Sequence, residues 1–469
     1  MFTVYYLLFI LKIMKETVFN ESIWGDEGFS AILSMKSIPE IIKIISTDTS
    51  PPLYNITEHL AFQYFGVSEI TIRGLSLFYF LLCLLFVYLI TSMIWSKKTG
   101  LLAVLATALN PFFFIYAFEG RMYSILAFGV TASMYFFLRI FSFKGKQIIN
   151  YIGYIIFTLW AIYSHHFAFF AIAIQALWVI KEFFSGKRRT AGNTVKSLVL
   201  VGILYIPWLI PLYKQVTMVK GGFWLGTPNL NDLKVLIYDY LGQGIKRLSF
   251  NVPFLNMKIY EVAPYLVFAT LLTRRWWKSV EKTIFFLLWF LGPILITWII
   301  SQKFTSIFFN RYLLYTIPAA MIILVTARSR VTFIPLAVTI LIFAIIDVHY
   351  FLTPAKLPFR QMSEYVKETK NKSDLLINWN SSAHHLWETK FYGIPAPIYI
   401  SGGGELPYYV GTALMEETDI IRKVLVNTER VGVVTSGSLD EVQLEGYSLS
   451  EKKEMGNLKF GWYKRTIED

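Results

Sequence analysis

The chain has 469 residues, of which 55% are hydrophobic and 17% aromatic, and its mean hydropathy is positive. Its apolar runs exceed what one soluble core absorbs, so the composition excludes an ordinary soluble domain and predicts a polytopic membrane protein. The formal net charge is +13, but the basic residues form short clusters between apolar runs. This distribution is typical of cytoplasmic membrane loops, so we interpret the charge as membrane topology and expect no nucleic-acid partner.

The first apolar stretch, 1–14, is short for the roughly 20 residues of a membrane-spanning helix, and no small-residue cleavage site follows it. We therefore expect a first membrane helix that continues past Lys15, and no cleaved signal peptide. The single cysteine, Cys83, lies within an apolar run. It excludes an intramolecular disulfide and a metal cage built from cysteines.

The later apolar segments, together with the first, predict about eleven transmembrane helices. They lie at 71–96, 99–117, 122–140, 148–184 (split in two at Ser164-His165-His166), 197–213, 257–273, 283–301, 311–327 and 331–352. With the N-terminus inside, the basic turns at 97–98, 144–146, 187–189, 274–278 and 328–330 all face the cytoplasm, as the positive-inside rule requires. The long polar segments 15–70 and 214–255, which we predict to be loops, and the turns at Glu119 and His165 then face the extracytoplasmic side.

The composition changes at about Pro354. Residues 354–469 contain 14 Lys and Arg against 16 Asp and Glu, whereas the preceding part carries a net charge of +15. We therefore predict two domains, a transmembrane module at 1–353 and a small soluble α/β domain at 354–469, on the extracytoplasmic side. Helices are predicted near 359–370, 383–392 and 418–428, and strands at 374–379, 397–400 and 431–436.

The polar segment 15–70 is rich in carboxylates, since six of the fifteen acidic residues of the first 353 positions lie between Asp26 and Glu69. Asp26 and Glu27 are adjacent, and Asp48 precedes the turn at Ser50-Pro51-Pro52. Ionised carboxylates at a membrane surface can deprotonate a hydroxyl substrate. The alternative is structural: Asp26 starts a surface helix, and Asp48 caps a turn that the prolines stiffen.

Arg121 and Arg311 begin predicted spans at the membrane interface, where arginine often only reaches lipid phosphates. Their functional alternative is to bind the phosphate of a lipid-linked sugar through the planar guanidinium fork. Glu119 is either the ion-pair partner of Arg121 or, with Asp26 or Asp48, a ligand of a divalent cation. The pair His165-His166 is either a surface cap or part of a binding site.

Four short motifs occur in an order that indicates a family. They are Trp24-x-Asp26-Glu27, Asp48-x-Ser50-Pro51-Pro52-Leu53-Tyr54, Tyr116-x-x-Glu119-x-Arg121-Met122-Tyr123 and Asn310-Arg311-Tyr312-Leu313. The combination resembles the GT-C membrane glycosyltransferases, in particular the bacterial relatives of protein O-mannosyltransferases and lipid A aminoarabinose transferases. The resemblance covers the membrane part of the chain and is best at 20–125 and 305–320.

The resemblance implies a polytopic α-helical GT-C fold and an inverting hexosyl- or pentosyltransferase in the plasma membrane. Its donor is a sugar linked to polyprenyl phosphate, and its acceptor is a glycan, a lipid or a protein on the extracytoplasmic face. The implied site residues are Asp26 and Glu27 for catalysis, Arg121, Arg311 and His165 for the donor phosphate, and Asp48 and Glu119 for the acceptor or a metal. A divalent cation is the one cofactor that this assignment allows.

The sequence departs from the family pattern at Ser50, where many relatives have His or Lys before the two prolines. One positive contact to the donor is therefore missing. His165 and His166 lie in a turn where relatives often carry a histidine, so the resemblance implies that they compensate for it in part.

Two other functions fit the composition. A transporter or flippase of lipid-linked sugars also has many spans, but transporters place polar groups near the bilayer midplane, often at broken helices. Here the acidic residues gather in polar segments between spans. An oligosaccharide polymerase or ligase shares the substrates, and the combination of Asp26-Glu27 with Pro51-Pro52 favours a GT-C enzyme over it.

Overall fold

The computed structural model describes residues 16–142, 147–244, 251–252, 257–272, 280–327, 333–379, 385–401, 404–424 and 428–466. The described residues form two compact units. The membrane unit consists of Thr49–Tyr54 and Arg73–Thr353, and the C-terminal unit consists of 16–48, Asn55–Ile72 and 354–466. Most of the first polar segment thus packs with the C-terminal sheet. The division into domains at 1–353 and 354–469 stays a proposal.

The first polar segment is largely helical, although the sequence suggested a loop. Its helices are α1 (Gly25–Ser34), α2 (Ile38–Ile45) and α3 (Leu53–Phe65). Helix α2 shows why the chain turns helical here: the Ser37 N–H donates to Glu40 at 3.0 Å, and Pro39 lies in the first turn. A serine N-cap with glutamate three residues later is a capping box, which a reading based on polarity alone overlooks.

The following helices form the membrane unit, to which the first of them contributes from Arg73 onward. They are α4 (Glu69–Ile94), α5 (Lys97–Ala108), α6 (Pro111–Tyr116), α7 (Tyr123–Ser142), α8 (Ile148–Ser164), α9 (Ala168–Phe184), α10 (Arg188–Tyr205), α11 (Leu209–Lys220), α12 (Leu230–Tyr238), α13 (Ile259–Leu272), α14 (Val280–Lys303), α15 (Asn310–Leu313), α16 (Ile317–Ala327) and α17 (Phe333–Phe351). A short ribbon joins β1 (Asn251–Val252) to β2 (Met257–Lys258) in antiparallel orientation.

The protein is a multi-pass membrane protein. Among the described residues, six helical segments are long and apolar enough to cross a bilayer, namely Glu69–Ile94, Tyr123–Ser142, Arg188–Lys220, Val280–Lys303, Asn310–Ala327 and Phe333–Phe351. Two shorter apolar helices, Ile148–Ser164 and Ile259–Leu271, accompany them. The predicted first span, 1–14, and the basic turns at 144–146, 274–278 and 328–330 lie outside the described residues, so the predicted total of about eleven stays a prediction.

The predicted split of 148–184 at the histidines is confirmed, because α8 ends at Ser164 and α9 begins at Ala168. The predicted span 99–117 is not one continuous helix, since Asn110 separates α5 from α6. Its side-chain oxygen accepts the N–H of Phe113 at 3.1 Å, and Pro111 follows it. A residue before proline avoids the helical conformation, which ends α5. The predicted span 197–213 is too short, because helix extends from Arg188 to Lys220 around a 3₁₀ turn at Ile206–Trp208.

The interior of the membrane unit holds small and polar residues where helices meet. A Cβ on Gly129 would lie 3.0 Å from Cα of Ala161, so glycine is what allows α7 and α8 to approach. Between the same helices, the hydroxyls of Ser133 and Thr158 are 2.8 Å apart. Gln175 of α9 donates to Ser133 at 3.0 Å. Such contacts are the usual means of helix association within a bilayer.

The C-terminal sheet has six strands in the order β5-β4-β3-β6-β8-β7. They are β3 (Leu375–Trp379), β4 (Ile398–Tyr399), β5 (Ile420–Ile421), β6 (Arg430–Thr435), β7 (Tyr447–Met455) and β8 (Leu458–Arg465). The first four are parallel to one another, with Ile377 opposite Val433, and β8 runs antiparallel to β6 and β7. Helices α18 (Phe359–Thr369) and α19 (His385–Phe391) complete an α/β domain.

One core cluster of this domain joins α18 to the sheet through Phe359, Met362, Leu376, Phe460 and Trp462. The helices predicted near 359–370 and 383–392 and the three predicted strands are confirmed in the described residues. The helix predicted near 418–428 is wrong: a 3₁₀ turn at Glu417–Asp419 leads into β5, which pairs with β4. The sequence analysis also missed the hairpin of β7 and β8.

Candidate functional site

Asp26 and Glu27 both lie in the first turn of α1, where the helix dipole favours negative charge. Their surroundings differ. Asp26 is half-buried, whereas Glu27 is 0% exposed. Glu27 accepts the N–H of Trp24 at 3.3 Å and forms an ion pair with Lys356 Nζ at 2.9 Å. The two adjacent carboxylates are therefore not equivalent, because Glu27 is held inside the C-terminal unit.

Glu388 of α19 lies close enough to Asp26 and Glu27 for their charges to affect its pKa. Burial raises the pKa of Glu388, and the charges of Glu27 and Asp26 raise it further, while the nearby His385 opposes the increase. His385 Nδ1 is 2.9 Å from a Glu388 oxygen, and its Nε2 is 3.2 Å from the hydroxyl of Ser436. No signal in the sequence indicated that Lys356 or Glu388 lies near Asp26 and Glu27, because more than 300 residues separate them along the chain.

Asp48 is buried in the C-terminal unit, after α2, and its N–H donates to the carbonyl of Ile45 at 3.2 Å. Ser50 belongs to the membrane unit. Its carbonyl accepts from Gln215 Nε2 at 3.2 Å, and Gln215 Oε1 is 2.7 Å from His166 Nε2. The structure thus brings together the Ser50 turn and the histidine turn through Gln215, which the sequence analysis missed.

Both histidines are neutral at neutral pH. Burial lowers the pKa of His166 to about 4, although its hydrogen bond with Gln215 acts in the other direction. Burial also lowers the pKa of His165 well below its usual value, and the charges of His166, Arg121 and Arg311 lower it further. His165 Nδ1 accepts the N–H of Phe167 at 3.1 Å, so in neutral His165 the proton is on Nε2. His165 can donate a hydrogen bond to a ligand, but it brings no charge.

Arg121, Arg311 and His165 lie in one neighbourhood of the membrane unit, since both arginine charges act on the histidine. Arg311 is in α15, and its guanidinium carbon is 4.7 Å from the ring centre of Phe309 and 5.7 Å from that of Tyr123. The ring of Tyr312, the next residue, is centred 4.8 Å from that of His165.

Glu119 is buried in a tight turn before α7. Its carbonyl accepts the N–H of Arg121 at 2.7 Å and the hydroxyl of Ser76 at 2.5 Å. These contacts fix the backbone from which Arg121 extends. Glu119 therefore belongs to the same unit as the arginines, whereas Asp26, Glu27 and Asp48 belong to the C-terminal unit.

A cavity of about 470 Å³ lies within the membrane unit. Its apolar wall includes Phe169, Phe170, Val216, Val219, Phe223, Ile300 and Phe304, and its polar lining includes Ser50, His165, His166, Gln215 and Tyr312. An apolar pocket with a few polar groups is the usual form of a small-molecule site. This cavity can take an apolar chain and meet a polar group beside His165 and Tyr312.

The predicted metal candidates, Asp48 and Glu119, are not joined into a metal centre. The described part of the chain contains no group of three or more His, Cys, Asp or Glu side chains that could hold a metal ion.

Solved structures of two glycosyltransferases share this fold. ArnT, the lipid A aminoarabinose transferase, from Cupriavidus metallidurans shares it over 98% of both chains, with a TM-score of 0.65 at 11% identity. The same ArnT bound to undecaprenyl phosphate gives a TM-score of 0.62, again at 11% identity and over 98% of both chains.

An oligosaccharyltransferase from Archaeoglobus fulgidus, in complex with Zn and sulfate, gives a TM-score of 0.52 at 13% identity. The similarity covers 88% of this chain and 64% of the archaeal one. No protein-family model matches the sequence, and a comparison with curated proteins finds no match. At these identities the likeness concerns the fold.

Proposed function

We propose that this protein is an inverting glycosyltransferase that moves a sugar from a polyprenyl-phosphate-linked donor to an acceptor on the extracytoplasmic face. The observation that carries the proposal is the fold shared with ArnT over 98% of both chains, in a structure that was also solved with undecaprenyl phosphate. The sequence motifs around Asp26 and Arg311 support it independently, because they are a property of the sequence and not of the fold.

The cavity of the membrane unit suits such a donor. Its phenylalanine and aliphatic lining offers an apolar surface to an isoprenoid chain. His165 and Tyr312 stand at its polar lining, and Arg311 is the residue before Tyr312. A guanidinium can bind two phosphate oxygens at once, and the Nε2–H of neutral His165 can donate to a third.

In the proposed reaction, an acceptor hydroxyl or amine attacks the anomeric carbon of the sugar from the face opposite the phosphate. Asp26 accepts the proton of the acceptor as the new bond forms. The bond between the anomeric carbon and the phosphate oxygen breaks, and polyprenyl phosphate leaves with the electron pair. Arg121 and Arg311 stabilise the charge that develops on that phosphate.

A divalent cation held by Asp48 or Glu119 is a separate part of the proposal. The archaeal oligosaccharyltransferase was crystallised with Zn and sulfate. The described residues here offer no ready group of ligands, so the steps above assign no role to a metal. Loss of transfer in EDTA, with recovery on adding Mg²⁺ or Mn²⁺, would establish one.

The direct test is mass spectrometry of cell-surface lipids, glycans and proteins from a strain that lacks the gene. We expect the loss of one hexose or pentose substituent, which returns with the wild-type gene and fails to return with the Asp26→Asn gene. The identity of the substituted molecule gives the acceptor. Unchanged surface molecules would contradict the proposal.

The same strain separates a transferase from a flippase. A transferase releases one polyprenyl phosphate for each sugar it moves, so purified protein should release it from the lipid donor that accumulates in the deletion strain when membranes of that strain supply the acceptor. A flippase would leave that donor chemically intact.

A further inference from the structure

The contacts of Lys356 distinguish two adjacent carboxylates, Asp26 and Glu27. Asp26 and Glu27 follow each other in α1, yet one is half-buried and the other is fully buried. An unpaired buried carboxylate is costly, so the enclosed one needs a counter-charge. Lys356 provides it, with Nζ 2.9 Å from Glu27 Oε2 and only 14% of its side chain exposed.

Lys356 is fixed at its backbone as well as at its tip. The N–H groups of Ala355 and Lys356 both donate to Glu21 Oε2, at 2.8 and 3.0 Å. Glu21 is itself buried and lies five positions before Asp26. Glu21 thus binds the backbone of Lys356, and the side chain of Lys356 binds Glu27.

Glu27 links Lys356 to the start of α1. Its Oε2, the oxygen that meets Lys356, also accepts the N–H of Trp24 at 3.3 Å, which fixes the first turn of the helix. Gly28 adds a second restraint, because a Cβ there would lie 2.9 Å from Cβ of Trp387 in α19. Asp26 lies between Trp24, whose N–H is bound by Glu27, and Gly28.

We infer that Lys356 is a positioning residue of the proposed transfer: it keeps Glu27 as a structural carboxylate and leaves Asp26 as the carboxylate that accepts the proton. The role of Asp26 rests on the proposed function. The division between the two carboxylates rests on their geometry and can be tested without any sugar.

The first experiment measures the coupling of glycine ethyl ester to carboxylates by a water-soluble carbodiimide, on the full-length protein in detergent. Peptide mass spectrometry reports each site. Asp26 should couple about tenfold faster than Glu27, because Asp26 is half-buried whereas Glu27 is fully buried and paired with Lys356. Lys356→Met should make Glu27 reactive, whereas Lys356→Arg should keep it shielded. Equal coupling of Asp26 and Glu27 in the wild-type protein would overturn the inference.

The second experiment follows the recovery of the surface sugar in the deletion strain after induction of each variant. Lys356→Met should slow recovery about tenfold or more, while the purified variant binds undecaprenyl phosphate within about twofold of wild type by native mass spectrometry. The double variant Lys356→Met with Glu27→Gln should recover to the level of Glu27→Gln alone, because no buried charge is left unpaired. Lys367→Met, which removes an exposed lysine of α18, is the matched control and should behave as wild type.

Two results would overturn the inference here. One is a Glu27→Gln variant as inactive as Asp26→Asn, which would place Glu27 at the reacting atoms. The other is a double variant no better than Lys356→Met. If instead the wild-type gene restores no sugar, the proposed function fails, and the carbodiimide experiment still decides the roles of the two carboxylates.

Discussion

Arg360 donates hydrogen bonds from both Nε and Nη2 to one oxygen of Glu69, at 3.1 and 2.7 Å. The hydroxyl of Tyr392 donates to the same oxygen at 2.8 Å, and Arg360 also donates to the carbonyl of Asn20 at 2.7 Å. Asn20 and Glu69 come from the first polar segment, and Arg360 and Tyr392 come from the sheet domain. Through these contacts, chain segments far apart in sequence form one C-terminal unit.

Replacing Glu69 by Gln should destabilise this unit. The amide keeps the shape of the side chain but loses the charge that strengthens bonds from Arg360 and Tyr392, so we expect the free energy of unfolding to fall by about 1–2 kcal/mol. Thermal unfolding of the full-length protein in detergent measures the change. Glu364→Gln, at an exposed position of α18, is the control and should leave the transition where it is. Equal transitions for both variants would show that the Glu69 contacts contribute nothing.

Because His165 and His166 are buried, we expect the free energy of unfolding to fall as the pH is lowered. The pKa of His166 is about 4 in the folded protein, below its ordinary value of 6.5. The unfolded chain therefore binds a proton at a higher pH than the folded one. Stability should be constant above pH 6.5 and fall as the pH drops from 6.5 towards 4, by up to about 3 kcal/mol for His166. His165, whose pKa is also lowered, adds to this loss.

Thermal unfolding between pH 7.5 and 5 measures this dependence. His166→Gln cannot gain a proton and keeps an N–H donor for Gln215, so its unfolding temperature should depend less on pH than that of the wild-type protein. A variant with the same dependence would assign the acid sensitivity to other groups.

Asp26→Asn should reduce turnover more than substrate binding. The amide keeps the size of the side chain but cannot accept the proton, and loss of a general base typically costs about 10² to 10⁴ in rate. Affinity for undecaprenyl phosphate should stay the same, because the base acts in the transition state. A folded Asp26→Asn protein that transfers sugar at the wild-type rate would remove Asp26 from the reaction and make Asp48 the next candidate.

Arg311→Lys should weaken binding of the donor. Lysine keeps the positive charge but has no planar fork for two phosphate oxygens, so we expect the affinity for undecaprenyl phosphate to fall about tenfold. Native mass spectrometry of the purified protein gives the affinity. Arg188→Lys, at an exposed position of α10, is the matched control. If only the dependence on acceptor concentration changes, Arg311 serves the acceptor.

Ser448→Cys tests the predicted side of the C-terminal domain. Ser448 is exposed on β7, and the native Cys83 is buried. A membrane-impermeant maleimide should label Ser448→Cys in intact cells. Arg189→Cys, in the first turn of α10 and in a basic segment that we predict to be cytoplasmic, should react only after the membrane is permeabilised. The reverse pattern would invert the topology and the proposed face of the reaction.

Much of the fold could be predicted from the sequence because apolar runs and basic clusters report directly on a bilayer. The histidine turn between α8 and α9 is an example, since His165 and His166 interrupt an apolar block too long for one crossing. The break at Asn110 was missed because a single asparagine and a proline do not change the mean hydropathy of their window. Local hydrogen bonding, not hydropathy, ends the helix there.

The candidate site could be predicted only in part. Asp26 and Arg311 stood out because they occur in short motifs, but the environment that separates Asp26 from Glu27 depends on Lys356. Lys356 and Glu27 are more than 300 positions apart in sequence, so no pattern of spacing indicates their contact. Gln215 was missed for the same reason, since its partners at Ser50 and His166 are distant in sequence.

The break at Asn110 also bears on how the protein is made. The side-chain amide of Asn110 donates to the carbonyl of Tyr240 at 2.9 Å, 130 residues further along the chain. The hydroxyl of Tyr240 in turn donates to the carbonyl of Asn310, another 70 residues on. A bilayer offers no water to an unpaired amide, so these groups find their partners only when the later segments arrive. The helices that are synthesised first therefore complete their packing last.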